Sequence, residues 1–188
     1  MSAAMSSKIG VIKILRDHLE TLTDGNKKTI SWIDVGTFYI VPIVCGFVFY
    51  ALVEKVDEKV AERLDTIIVS AFAIFAALLF NLQVIILNAA KPAKSGSGLS
   101  REATAEDTTW YKRRLERTAF LFEVFSNLSY AIAVAILLVV STMLFIFVGW
   151  DQSPVAKAFQ LGGVLHFALT LLMILKRMHI VLGADFPK

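Results

Sequence analysis

The run Val124–Trp150, VFSNLSYAIAVAILLVVSTMLFIFVGW, decides the class of fold because it contains 27 consecutive residues without a charge. A helix rises about 1.5 Å per residue, so about 20 apolar residues cross the hydrocarbon core of a bilayer. Three further uncharged runs approach or exceed that length: Val35–Val53, Thr66–Ala90 and Ala158–Leu175. The sequence therefore predicts four transmembrane helices.

The composition agrees with a membrane protein. Hydrophobic residues make up 56% of the 188 residues and charged residues only 19%, whereas an ordinary soluble domain is about 45 to 50% apolar and roughly 25% charged. With one cysteine and ten glycines, the chain is neither a disulfide scaffold nor a collagen-like fibre. The predicted fold is all-α, a four-transmembrane-helix bundle with an amphipathic N-terminal helix.

The predicted organisation has three parts. Residues 1–30 form a cytoplasmic amphipathic helix and turn, residues 31–182 the transmembrane domain, and residues 183–188 a cytoplasmic tail. The predicted spans cover about 33–53, 66–90, 120–149 and 156–176, with a cytoplasmic basic loop at 91–118. Fifteen lysines and arginines fall in residues 1–30, in this loop and in the chain from Lys176 onward, against four in the other two loops. Because short cytoplasmic loops are enriched in positive charge, we expect an integral protein of the bacterial inner membrane with both termini in the cytoplasm.

The N-terminal helix is predicted from apolar residues that recur every three or four positions. They are Ile9, Ile12, Leu15, Leu19 and Leu22, with charged residues between them. This spacing is typical of an amphipathic helix. Such a helix lies in the headgroup layer, docks under the bundle, or simply covers the helix ends, and the pattern leaves these alternatives open.

Small and polar residues inside the spans are candidates for helix contacts, because lipid gives purely apolar helices little reason to associate. The predicted intramembrane or oligomer contacts are Ser70, Asn81, Asn88, Glu123, Asn127, Tyr130, His166, Thr170 and Arg177. Glu123 pairs with Arg177 or Lys176 across the bundle, or extends to the interface near Arg117; both interpretations are open. The protein is expected to form homo-oligomers through such contacts.

Two residues carry sharper expectations. His166 is placed near the middle of the bilayer, where it either titrates or stays neutral and bonded to a neighbouring helix, for instance to Asn81 or Tyr130. Pro42 has no amide hydrogen for the carbonyl of Phe38, and this predicts a kink in the first span.

The basic loop holds the strongest cationic patch of the chain. Its residues are Trp110, Lys112, Arg113, Arg114 and Arg117. It would bind anionic lipid headgroups, a nucleotide signal or an acidic cytoplasmic protein, although positive-inside topology alone also explains it. Specific nucleic-acid binding is not predicted.

Catalytic chemistry is not indicated. The sequence lacks GxxxxGK[ST], HExxH, GxSxG and paired-cysteine motifs, and its three histidines fall in distinct segments. We therefore expect no enzyme, no catalytic residue, no metal site and no cofactor.

The layout of an amphipathic start, two hairpins of spans and a basic central loop resembles the small four-span membrane components of bacterial phage-defence systems, such as the Kiwa membrane subunit. The resemblance covers the whole chain as topology and implies self-assembly, a cytoplasmic partner and a response to infection at the envelope. It transfers no functional residue. The first functional hypothesis is thus a membrane sensor or effector. The alternatives are a channel or transporter component with a polar intramembrane path, and a non-conducting membrane anchor or scaffold.

Overall fold

The computed structural model describes residues 11–21, 36–52, 57–90 and 105–185, and all regular structure in those ranges is helical. The helices are α1 (Val11–Thr21), α2 (Val41–Leu52), α3 (Glu58–Ala90), α4 (Ala105–Val148) and α5 (Pro154–Asp185), and a π-helical turn at Gly36–Ile40 runs directly into α2. The all-α class is confirmed for this part of the chain. The predicted turn before the first span and the flexible start of the basic loop lie outside the described residues.

Three helices are long and apolar enough to cross a membrane. They are Glu58–Asn88 within α3, Thr118–Val148 within α4 and Pro154–His179 within α5. The predicted first span corresponds to a shorter apolar helix, Gly36–Leu52, which measures about 25 Å against a hydrocarbon core of about 30 Å. The structure therefore supports a helical membrane protein with three candidate spans, and the four-span bundle remains a prediction.

Helix α4 lies at the centre of the structure and packs against α1, α3 and α5. Its contact side includes Ala131 and Ala135, which are fully buried and whose short side chains let neighbouring helices approach closely. Phe72 of α3 and Phe167 of α5 meet edge to face beside them, with ring centroids 4.8 Å apart. This apolar layer forms the interior of the bundle.

Helix α2 packs against α5 through backbone contact at glycines. A Cβ atom on Gly46 would lie 2.9 Å from the carbonyl oxygen of Ala158, and one on Gly162 would lie 3.1 Å from that of Pro42. Real Cβ atoms essentially never come as close as 2.9 Å, and 3.1 Å is tighter than most Cβ contacts, so glycine at these positions allows the helices to cross closely. The short apolar helix α2 is thereby held against α5, the last helix of the chain.

Helix ends follow local capping rules. The Oδ1 atom of Asp57 accepts hydrogen bonds from the amides of Lys59 (3.0 Å) and Val60 (3.3 Å), which begins α3. Gly149 ends α4 with a φ angle of 75°, and Pro154 opens α5, where its missing amide hydrogen costs nothing. The connection between α4 and α5 is therefore short and tightly turned.

Helix α1 is confirmed, and it docks against α4. Its apolar side does not face the bundle, because Ile12, Leu15 and Leu19 are exposed. The buried residue is His18, with 1% of its surface exposed. The amphipathic pattern thus located the helix, and a single polar side chain decides which side packs inward.

Candidate functional site

The candidate site is a group of hydrogen-bonded side chains that joins α1 to the bundle, which we call the histidine cluster: His18, Asn127, Tyr130, His166 and the carbonyl of Phe38. The His18 ring stacks on the Tyr130 ring, with centroids 3.8 Å apart and an interplanar angle of 8°. Its Nδ1 lies 2.8 Å from Asn127 Oδ1. One residue outside the spans is thus held by two residues inside α4.

His166 forms the other half of the cluster and makes hydrogen bonds through both of its ring nitrogens. Nδ1 lies 2.7 Å from the carbonyl oxygen of Phe38, which only accepts, so Nδ1 carries the proton. Nε2 lies 2.7 Å from the Tyr130 hydroxyl, a group that can both donate and accept a hydrogen bond. The structure shows the bond to Tyr130, one of the two neighbours that the sequence suggested for His166.

The carbonyl that His166 binds, that of Phe38, is the one to which Pro42 cannot donate. In a regular helix the amide four residues after Phe38 would donate to that carbonyl, and proline has no such hydrogen. The chain adopts a π-helical turn, Gly36–Ile40, just before Pro42. The α-helical geometry is therefore interrupted just before Pro42, where His166 of α5 donates to the Phe38 oxygen; the kink itself stays a prediction.

Tyr39 lies beside this group. Its ring centroid is 5.1 Å from that of His166, and its hydroxyl is buried without a hydrogen bond of good geometry to the described residues. The side chain therefore extends the aromatic surface of the cluster toward α2.

Burial lowers the pKa of His18 from 6.5 to about 4. Removal of the ring from water is the main cause; the positive potential of His166 and Arg177 acts in the same direction, and the hydrogen bond to Asn127 opposes it. At neutral pH the ring is therefore uncharged. Protonation of His18 would place a positive charge in a buried position.

A second buried group, the ion-pair cluster, lies at the other end of the bundle and consists of Asp65, Lys157, Gln160 and Thr142. Lys157 Nζ lies 2.5 Å from Asp65 Oδ1 and 3.2 Å from the carbonyl oxygen of Ala61. Gln160 Nε2 donates to Asp65 Oδ1 at 2.8 Å and to Thr142 at 3.2 Å. All four side chains are buried, so the pair is shielded from solvent and links α3, α4 and α5.

An apolar layer separates the two clusters. Tyr130 and Thr142 are twelve residues apart on α4, about 18 Å along the helix axis, and Ala135 and Leu138 between them are buried. A further polar contact joins α3 to α4, where Gln83 Nε2 donates to Ser129 Oγ at 2.6 Å. The described residues therefore hold separate polar contacts rather than one continuous polar path.

The structure places the predicted contact residues in three different environments. Asn127, Tyr130 and His166 meet in the histidine cluster. Buried Thr170 donates to the His166 carbonyl within α5. Arg177 Nη1 lies 3.4 Å from Glu123 Oε2, the pairing that the sequence predicted as one of two alternatives, and both side chains are partly exposed.

Ser70, Asn81 and Asn88 lie on the exposed side of α3, opposite the side that packs against α4. Asn81 is therefore not the partner of His166, and it does not line a path with Glu123 and Arg177. The backbone of residues 105–117 is helical, but the side chains of the basic patch (Trp110, Lys112, Arg113, Arg114 and Arg117) lie outside the described part of the structure.

Sequence reasoning missed several residues that make these clusters. His18 was one histidine among three, and Asp65 and Lys157 were counted only as charges in connecting loops. Lys157 and Gln160 are three residues apart, and this spacing places two polar side chains on one face of the helix. It is the signal that could have indicated a shared partner, which in the structure is Asp65. Nothing in the pattern around His18 would have marked it as buried.

Comparison with known proteins gives no matching family model, no matching curated protein and no matching solved structure. The function must therefore be argued from the geometry of the chain itself.

Proposed function

We propose that this protein is an integral membrane sensor or effector subunit, in which docking and release of α1 change the packing of the membrane helices. In the proposed arrangement the chain crosses the membrane four times and keeps both termini in the cytoplasm. The observation that carries the proposal is the burial of His18, a residue of the amphipathic helix, against Asn127 and Tyr130 of the central span.

The histidine cluster supplies a physical route from α1 to the first apolar helix. The ring of His18 covers one face of Tyr130, and the Tyr130 hydroxyl orients His166. His166 in turn holds the carbonyl of Phe38, at the backbone break before Pro42. Release of α1 exposes Tyr130, so the position of His166 and of the broken helix should change with it.

A signal shifts the equilibrium between docked and released α1 only if it binds the two forms with different affinity. The exposed apolar residues Ile12, Leu15 and Leu19 offer a surface to lipid headgroups or to a cytoplasmic protein. The basic patch at Lys112–Arg117 is the second predicted contact for a protein or an anionic ligand. Either partner would shift the equilibrium by its preference for one form.

Self-assembly is part of the proposal and is supported by the outward side of α3. Ser70, Ala73, Ala77 and Asn81 are all exposed there, and they share one side of the helix at 100° per residue. A carboxamide facing hydrocarbon has no water to bond with and favours a polar partner on another helix. A second copy of the chain provides such a partner.

Helix coupling is tested by electron paramagnetic resonance distances in nanodiscs, in a Cys45→Ala background. One pair of spin labels, at Leu19 and Lys176, reports the docking of α1, and a second pair, at Leu52 and Val155, reports α2 against α5. His18→Ala should broaden both distance distributions, while the matched variant His179→Ala, at an exposed histidine of α5, should leave both unchanged. A change confined to the α1 distance would refute the coupling.

The assembly is tested separately by cysteine crosslinking in the same background. A cysteine at Ala77 should give a crosslinked dimer, and a cysteine at exposed Leu144 of α4 should not. Equal crosslinking at both positions would count against an interface on α3.

A role in antiphage defence is proposed from the arrangement of spans and basic loop described above. It is tested by phage plating on cells with and without the His18→Ala protein.

A channel or transporter component is the second candidate, and the buried ion-pair cluster favours it, because charged residues inside membrane helices often mark ion pathways. Ion flux through liposomes that is abolished by His166→Leu would support this candidate over the first. A protein that neither conducts nor moves α1 would be a membrane anchor.

A further inference from the structure

A cleft of about 650 Å³ lies between α2 and α4, with α5 as its floor. Both walls pack against α5, and the floor includes Gly162 and Gly163, which lie close to Pro42 of α2 and Leu138 of α4. Tyr39, Tyr130 and His166 line one end of the cleft, and Tyr50 and Val155 line the other. The volume falls within the range of about 300 to 1,000 Å³ that is common for small-molecule sites.

The lining of the cleft is hydrocarbon and aromatic, without a charged residue. Its polar end offers little to a ligand, because the Tyr130 hydroxyl, His166 and the Phe38 carbonyl are bonded to one another. Ile43, Phe47 and Leu137 line the cleft and are exposed on the outer surface of the helices. The cleft therefore opens sideways, toward the bilayer, and suits an apolar ligand.

The length of the cleft matches one leaflet. Tyr39 and Tyr50 are eleven residues apart, as are Val155 and His166, and eleven residues of helix span about 17 Å. Half of the hydrocarbon core measures about 15 Å. The Tyr50 end lies near Lys157 and the end of the candidate spans, whereas the Tyr130 end lies deeper in the bundle.

We propose that the cleft binds one acyl chain of a membrane phospholipid. The chain enters sideways from the leaflet at the Lys157 end, with its ester near Tyr50 and Val155. Its terminal methyl group lies against the aromatic faces of Tyr39 and Tyr130. The site goes beyond the sensor function and needs only the packing of α2, α4 and α5, so it stands whether or not α1 is released.

The test uses the full-length protein in nanodiscs that contain phosphatidylglycerol with a photoreactive diazirine in one acyl chain. In one probe the diazirine is close to the ester, and in the other it is close to the terminal methyl group. Mass spectrometry of the crosslinked peptides should place the first probe near Tyr50 and Val155 and the second near Tyr130 and His166. Reversed order, or labels spread evenly over all exposed helix faces, would overturn the proposal.

A matched pair of variants controls for general contact with lipid. Leu137 lines the cleft and Leu78 lies on α3 outside it, and both are 58% exposed. Leu137→Trp fills the cleft and should lower crosslinking there by about tenfold, since displacement of two buried methylene groups already has that effect. Leu78→Trp should leave crosslinking in the cleft unchanged, and an equal loss in both variants would contradict a defined site.

A free fatty acid carrying the same diazirine distinguishes the source of the chain. The phospholipid probe should label the cleft more strongly at equal membrane concentration, because its headgroup holds the chain in register with the leaflet. Stronger labelling by the free acid would replace the proposal with a fatty-acid site.

Discussion

Acidification should release α1 from the bundle, because the docked form of the protein holds His18 neutral. Burial lowers the pKa of this residue to about 4, from 6.5 in water. The groups around it include Asn127, which accepts its hydrogen bond, Tyr130, which stacks on it, and His166 and Arg177, which disfavour its charge. None of them offers an anionic partner to the protonated ring.

The direction follows from proton linkage. A group with a lowered pKa binds fewer protons when docked than when released, so docking strengthens as the pH rises through the window between 4 and 6.5. The contribution is complete above 6.5 and is lost as the pH falls toward 4. Between about pH 7.5 and about pH 5, these two pKa values weaken docking by about 30-fold, or about 2 kcal/mol.

The distance between spin labels at Leu19 and Lys176 measures this equilibrium directly. The ratio of docked to released α1 should fall by about 30-fold over that pH range. In His18→Phe, which keeps a flat ring for stacking on Tyr130 but has no proton to gain, the ratio should not depend on pH in this window. The exposed His179→Phe variant should retain the full response.

Two results would refute the reasoning. If His18→Phe shows the same pH response as the original protein, another group is responsible for it. If docking strengthens as the pH falls, the protonated ring has a partner in the bundle, and the burial of a neutral His18 is the wrong description of the docked form.

Three further changes test the packing and the polar clusters by thermal or denaturant unfolding in detergent. Gly46→Ala should destabilise the protein by about 1 to 3 kcal/mol because its Cβ meets the Ala158 carbonyl. Gly36→Ala should not, because its Cβ would make only an ordinary contact with Ile40, at 4.0 Å; equal effects would contradict the crossing. Lys157→Met should cost about 3 to 5 kcal/mol by leaving the Asp65 carboxylate buried alone, and adding Asp65→Leu should recover most of the loss; a harmless single change would mean that the pair is solvated. Tyr130→Phe should cost about 1 to 3 kcal/mol, because His166 loses its hydrogen bond to the Tyr130 hydroxyl. The α1 distance should stay the same, because the ring that stacks on His18 remains.

The helical class and the membrane environment followed from the sequence because both depend on local properties. An uncharged run such as Val124–Trp150 has few stable states outside lipid, and in lipid the backbone must satisfy its own hydrogen bonds, which a helix does. The interruption at Pro42 was predictable for the same reason, since it depends only on a missing amide hydrogen. The amphipathic spacing likewise located α1.

The sites depended on contacts between residues far apart in the chain. His18 meets Asn127 across 109 positions and Lys157 meets Asp65 across 92. Such meetings require a particular rotation and register of each helix, and a helix that is apolar on all sides gives no periodic signal for either. Ser70 and Asn81 illustrate this limit, because spacing placed them on one side of α3 but did not say what that side faces.

The sequence by itself thus determined that the chain forms apolar helices long enough to cross a membrane, and roughly which residues form each of them. Only the tertiary structure decided that His18 is buried and that His166 donates a hydrogen bond to the carbonyl of Phe38. It also decided that α2 and α4 leave a cleft above α5. Those features arise from contacts between side chains of different helices. Their energies depend on distances between residues far apart in the chain, which the local sequence pattern does not determine.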